Sequence, residues 1–298
     1  MRRSFYFLKT VSLLLDNWQR LVIRKLLIAI PIILMMISAC SPERKLAREF
    51  IRNRDSTAVM LLMPSYILKS NLKWWEVEDY DKMNDREKDS ALYYNSTFLK
   101  EVDDDFLIAR FKSSLQSGLM KYNIKPFTED MLLDFMEVGY RAYKVVLAQV
   151  ELEEDIFQYH VEEVFFDTVL FYEDFDLNLI SMNTWFEITP MNDPLSVNNV
   201  LYASGDMMDG IEGRFQNNLF SDDVKFNYNY FPIKTEDIYA LTAMLGEKYA
   251  GYIYDYMLNE YIHRHFPDGE RPKIYFSFDP STGAVSPAKE ERFTFIRP

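Results

Sequence analysis

The side chains of this 298-residue chain best suited to chemistry are three histidines, a run of acids and a tryptophan pair. His263 and His265 flank Arg264 near the end of a long helical pattern, where basic and polar groups suit the negative end of the helix dipole. Two histidines that share a metal on a helix need a spacing of four residues, and a spacing of two points them to different faces. His160 stands alone. The chain contains no Gly-x-Ser-x-Gly elbow, no Gly-x-Gly-x-x-Gly loop and no phosphate-cradling lysine loop. No catalytic residue, metal site or cofactor is therefore expected.

Glu151, Glu153, Glu154 and Asp155 resemble a paired-carboxylate site at first sight. Alternation with Val150 and Leu152 places Glu151 and Glu153 on the wet side of a strand, so a solvated face is expected. Asp103, Asp104 and Asp105 open a helix, where negative charge offsets the positive end of the dipole. Trp74 and Trp75 lie in a polar stretch without periodicity. Aromatic faces stack on sugar rings, which makes this pair the candidate ligand-binding residues.

One cysteine remains to be explained. Arg24-Lys25 precedes an apolar run from Leu26 to Ile37, and Ile37-Ser38-Ala39-Cys40 then matches a lipobox. The run is short for a spanning helix, which needs about 20 residues, and Pro31 lies inside it. Cleavage before Cys40 and lipidation of its thiol are expected. Cys40 is the chain's only cysteine, so no disulfide accounts for it. The expected division is a signal peptide at 1–39, a lipidated tether at 40–56 and a single domain at 57–298.

Residues 1–39 hold six basic side chains and one acid, out of 33 and 46 in the whole chain, so the remainder carries 27 against 45, a charge near −18. Such a domain repels phosphate backbones, which excludes nucleic acid as a partner, and adhesion to anionic lipid is disfavoured for the same reason. At 48% hydrophobic and 16% aromatic residues, the chain has the apolar side chains that disordered chains lack.

The periodicity predicts the elements. Glu43 to Asn53 reads as an amphipathic helix or tether, and Ala58 to Met63 as a strand buried on both faces. Ser65 to Asp103 reads as polar and irregular, with a helix around Asp85 to Phe98, and is expected outside the core. Asp103 to Tyr122 is a helix burying Phe111, Leu115 and Leu119 against a sheet centred on Val59, Leu61, Val145 and Leu147. A short strand at Ile124 to Phe127 and a helix from Thr128 to Val138 follow. Tyr143 to Glu153 and Asp174 to Thr189 are long strands, the second with a bulge or twist near Leu179–Ile180 where its parity changes. Asn199 to Ala203 and Val224 to Phe231 add strands. Lys234 to Phe266, capped by Thr235, is the longest helix. Lys273 to Phe278 and Arg292 to Ile296 are short strand-like pieces. The fold class is α/β (α+β): a mixed sheet in strand-helix-strand-helix-strand order, with long antiparallel strands and a long C-terminal helix.

This element order, behind such a leader, resembles the α/β domain of the curli secretion-channel lipoprotein, of peptidoglycan-synthase activator lipoproteins and of the amino end of the Tol propeller protein. Ser41 after Cys40 resembles the outer-membrane sorting rule of Gram-negative lipoproteins. Asp55-Ser56-Thr57, Asp89-Ser90-Ala91 and Asp167-Thr168-Val169 are similar to the O-glycosylation triplets of Bacteroidetes envelope lipoproteins, which makes Ser56, Ser90 and Thr168 candidate acceptors. As turn and loop residues, Asp89-Ser90 and Asp167-Thr168 have an ordinary reading as well. The lipobox, together with the absence of a catalytic constellation, leads to the expectation of a non-enzymatic binding or assembly module, lipid-anchored at the outer membrane, facing the periplasm and meeting an envelope protein. The alternatives are a carbohydrate-binding lipoprotein using Trp74 and Trp75, and an enzyme without a recognisable motif.

Overall fold

The computed structural model describes residues 41–138, 141–191, 199–217, 224–266, 272–288 and 292–296. Cys40 and the expected leader lie outside them.

Helix α1 (Pro42–Arg52) starts where Ser41 Oγ accepts from the Arg44 amide, with proline at its first position. The helix expected as one reading of residues 43–53 is thus formed, and it is docked: Ala47 and Phe50 are fully buried against the last helix. Strand β1 (Ala58–Leu62) lies between β3 (Lys125–Phe127) and β4 (Ala142–Phe165), parallel to both. This is the expected adjacency of residues 57–63 and 143–150. Next to β4 runs β5 (Thr168–Pro190), then β6 (Val200–Met208) and β11 (Thr294–Ile296), all antiparallel, while β2 (Leu68–Asn71) pairs with β4 further along.

One face of the sheet is covered by α3 (Asp104–Lys121) and α5 (Thr235–His265). Leu107, Phe111, Leu115 and Leu119 of α3 are buried, as are Ile238, Leu241, Leu245 and Tyr249 of α5. The helices cross closely because Gly118 faces Ala250 and Gly246 faces the Phe111 carbonyl; a Cβ on either glycine would stand 2.5 and 2.7 Å from those atoms. The cap of α5 is Lys234 rather than Thr235, its amide held by the Asp237 carboxylate at 2.9 Å. Beyond β2, a turn of 3-10 helix (Trp74–Glu76) and α2 (Asp85–Asn95) form the polar stretch, which is not wholly outside the core: Phe98, Leu99, Val102 and the Lys73 side chain are buried. The short helix α4 (Leu132–Met136) closes the other face only beside β1, where Ala58, Met60, Phe127, Phe135 and Ala142 cluster.

Of the bulge or twist expected at Leu179–Ile180, the bulge is absent: the two residues pair in unbroken register with Asp155 and Glu154. The register shifts instead at Ala148, between Leu147↔Phe186 and Gln149↔Trp185. One extra residue exchanges the faces of β4: Tyr143, Val145 and Leu147 face the helices before it, and Val150, Leu152 and Glu154 after it. The parity change read in β5 has another cause, a change in the covering layer. Up to Ile180 the even-numbered side chains lie under the helices; farther out, Phe175 and Phe171 on the odd face meet a second hairpin.

That hairpin is β7 (Gly210–Asn217) with β8 (Val224–Phe231). Phe215 lies 6.0 Å from Phe171, and Phe226 and Tyr228 lie 5.5 and 4.9 Å from Phe175, centroid to centroid. The buried Asp209 joins the layers. Its carboxylate accepts from the Asn178 amide and Nδ2 (2.8 Å each), the Ile233 amide (2.7 Å) and the Tyr230 hydroxyl. From Ile156↔Asn178 outward, β4 and β5 pair only with each other, forming an arm of about 35 Å at the usual rise per residue. A two-stranded ribbon is marginal alone, and the ring contacts with β7–β8 supply its missing layer.

Candidate functional site

The face of the sheet opposite the helices is open beyond the bulge, and its side chains fall into rows fixed by strand register. Glu151, Asn183 and Ser204 form one row, Glu153, Ser181 and Asp206 the next, and Trp185 and Tyr202 a third. These residues line a trough of about 550 Å³ that holds no lysine, arginine or histidine among the described residues. Ser70 Oγ donates to Glu151 at 2.7 Å, the Tyr202 hydroxyl donates to Asn183 Oδ1 at 2.6 Å, and the Trp185 and Tyr202 rings stand 5.2 Å apart at 55°. Carboxylates and an amide beside an aromatic wall can accept from sugar hydroxyls or hold an organic cation against the rings. Glu151 and Glu153 are only half-exposed, members of a concavity rather than of a plain solvated face.

Glu154 is not solvated at all. The bulge turns it under the helices, where it is fully buried and accepts from the amides of Thr97 (2.7 Å), Phe98 (2.9 Å) and Leu99 (3.3 Å) and from Lys73 Nζ (2.7 Å). Burial alone would raise its pKa; the Lys73 ammonium and the amides of Phe98 and Thr97 outweigh that and hold it below the ordinary carboxylate value. Its role is to fasten the polar stretch to β4.

The arm is a second candidate surface. Phe157, Val164, Phe165, Phe166, Val169, Leu170 and Tyr172 are exposed, with Phe166 at 87% on the tip. Phe166 and Asp167 both have positive φ, 44° and 59°, which closes the two-residue turn without a glycine. Between 155 and 178 the chain carries Asp155, Glu162, Glu163, Asp167, Glu173, Asp174 and Asp176 and no lysine or arginine. His160 Nδ1 lies 2.6 Å from Asp174 across the strands, and that hydrogen bond raises the pKa of the imidazole.

Of the residues singled out in the sequence, Glu151 and Glu153 line the trough and His160 and Thr168 stand on the arm, while the others lie apart from both surfaces. Trp74 and Trp75 are about half exposed and meet edge-on, 5.8 Å apart at 82°, so they present no common flat face. Ser56 is exposed and donates to the Asn53 carbonyl; Ser90 is exposed on α2, a helix rather than a loop; Thr168 is exposed beside the turn at the arm tip. Asp104 binds Lys69 at 2.8 Å and Asp103 caps α3, which gives the acid triplet its structural role. His263 and His265 are exposed, and His265 Nδ1 lies 2.8 Å from the Tyr261 carbonyl.

Among the described residues, no group of three or more His, Cys, Asp or Glu is gathered to hold a metal, and no helix is long and apolar enough to cross a membrane. Against known protein families and curated protein sequences, the chain finds no match. Trp185, Tyr202, Asp206 and the arm aromatics were not singled out in the sequence. The available signal was Ser181, Asn183 and Trp185 recurring at every second residue opposite Met182 and Phe186.

Proposed function

We propose that this chain is a non-enzymatic lipoprotein of the bacterial envelope, held by a lipid on Cys40, and that the arm is the surface with which it binds a protein partner. The observation that carries this reading is the exposed aromatic tip around Phe165 and Phe166. A contiguous exposed apolar patch on a folded protein marks an interaction site. The seven carboxylates around it call for a partner whose apolar surface is rimmed by lysine or arginine. Strand β4, whose outer part forms the arm, starts next to α1: Arg141, just before β4, donates to the Phe50 carbonyl at 3.2 Å. From there β4 leads outward for 24 residues, a contour of about 80 Å at about 3.3 Å each, away from the anchored end.

A photoreactive amino acid at Phe166 tests the reading in intact envelopes of the native host. One discrete crosslinked protein is expected, lost when Phe165→Ser is added and absent for the same probe at Lys45. Crosslinks to lipid alone, or none, overturn the reading. Fatty-acid label retained by Cys40→Ala would remove the anchor.

A second reading, glycan binding, is favoured by the trough rather than by Trp74 and Trp75. Trp185 and Tyr202 supply an aromatic wall, and Glu151, Asn183 and Asp206 supply acceptors for hydroxyls. Loss of glycan-array binding in Trp185→Ala, but not in Trp74→Ala, is the expected signature.

A further inference from the structure

Helix α1 carries Arg44, Arg48 and Arg52 at successive four-residue steps, so the three guanidinium groups share one stripe. With Ile51, and with Gly283 and Val285 of the hairpin formed by β9 (Tyr275–Asp279) and β10 (Ala284–Ala288), they line a groove of about 320 Å³. Like charges at this spacing repel and destabilise a helix unless a counter-charge is present. Among the described residues no carboxylate lies within ion-pairing distance of any of the three. The acids nearby are engaged elsewhere: Glu43 accepts from the Lys273 amide, Glu49 from the Tyr261 hydroxyl, and Asp279 from Ser281 and Thr282 in its own turn.

A chain with 46 acids and 33 basic residues has thus concentrated three uncompensated arginines in one groove. The groove is shaped for an anion. Guanidinium forks match phosphate oxygens in pairs, the turn side is bare at Gly283, and Ile51 and Val285 add an apolar strip. From these features, and from the start of the stripe four residues after Cys40, we propose that the groove binds the phosphate of an anionic lipid headgroup, with its glycerol against Ile51 and Val285. The net charge near −18 does not prevent this, because screening confines each charge to about 8 Å at physiological salt. The membrane-side position rests on the lipoprotein reading, whereas the anion chemistry of the groove stands without it.

The test uses residues 41–298, which contain every described element, with vesicles of pure phosphatidylcholine and vesicles doped with phosphatidylglycerol. Co-flotation with the anionic vesicles only is expected, falling at least tenfold in Arg48→Gln/Arg52→Gln and unchanged in Lys45→Gln, a cation of the same helix outside the groove. Inorganic phosphate that raises the melting temperature and binds to the same arginines, without flotation, overturns the lipid source. Equal flotation of the double variant, or none for the parent, overturns the site. Since the arm is untouched, crosslinking at Phe166 reads the other proposal separately.

Discussion

Lys73 Nζ lies 2.7 Å from Glu154 Oε1, and both side chains are sealed from solvent. Breaking a buried pair by removing one partner costs about 3–5 kcal/mol, because the remaining charge is stranded. Glu154→Gln should therefore lose stability on that scale in urea unfolding, with hydrogen exchange accelerated first at the amides of Phe98 and Leu99. Because the folded carboxyl is held below its ordinary value, this contribution is present above about pH 4.5 and is lost as the pH falls through the folded pKa. A loss under 1 kcal/mol at pH 7 would show that the segment is fastened by its apolar contacts.

Asp255 behaves in the opposite sense. It is buried on α5, accepts from the Phe278 amide at 2.9 Å and lies 3.5 Å from the Arg292 guanidinium, and burial raises its pKa to about 7. Its neutral form fits the site. Stability from this group is complete below about pH 3.8 and is lost as the pH rises towards 7. Asp255→Asn should match the parent at pH 4 and exceed it at pH 8 by up to about 4 kcal/mol, the equivalent of that shift. Parallel stability curves for the two proteins across this range would refute the assignment.

The α3–α5 crossing gives a third prediction. Leu115 is buried and Lys112 stands on the half-exposed side of the same helix. Leu115→Asp should unfold the domain, while Lys112→Asp should shift stability by about 0.5 kcal/mol or less. Gly246→Ala, whose new methyl meets the Phe111 carbonyl and Ser114, should cost about 1–3 kcal/mol by overpacking. Thermal melts of the three variants decide it, and equal sensitivity at 112 and 115 would mean the buried face is misassigned.

The sheet centre and the α3 stripe were legible because continuous apolar runs and four-residue spacing report burial directly. Val59, Leu61, Val145, Leu147, Phe111, Leu115 and Leu119 all lie in the core cluster. The arm was not legible. Between Asp155 and Asp174, acids and aromatics are mixed on strands with two largely wet faces, and the Phe166–Asp167 turn has no glycine to mark it. Glu154 was misread although alternation from Val150 and Leu152 already puts it on the buried face, because a carboxylate there needs a partner that the local sequence does not show. Its partner Lys73 comes from a distant segment with no periodic signal. The trough escaped because its rows are assembled across three strands, and no single segment displays them.

The extra residue at Ala148 also divides β4 into two independently patterned halves. Inside it, any change of face disturbs the helices; outside it, substitutions on the open side leave the core alone. Deleting Ala148 would remove only the bulge, because Leu147, Gln149 and Val150 already pair with the consecutive residues Phe186, Trp185 and Thr184 and would keep their faces; lengthening the Phe166–Asp167 tip would likewise alter nothing inside. Variation in what the molecule recognises can thus accumulate along the outer half of one strand, while the inner half goes on specifying the same fold.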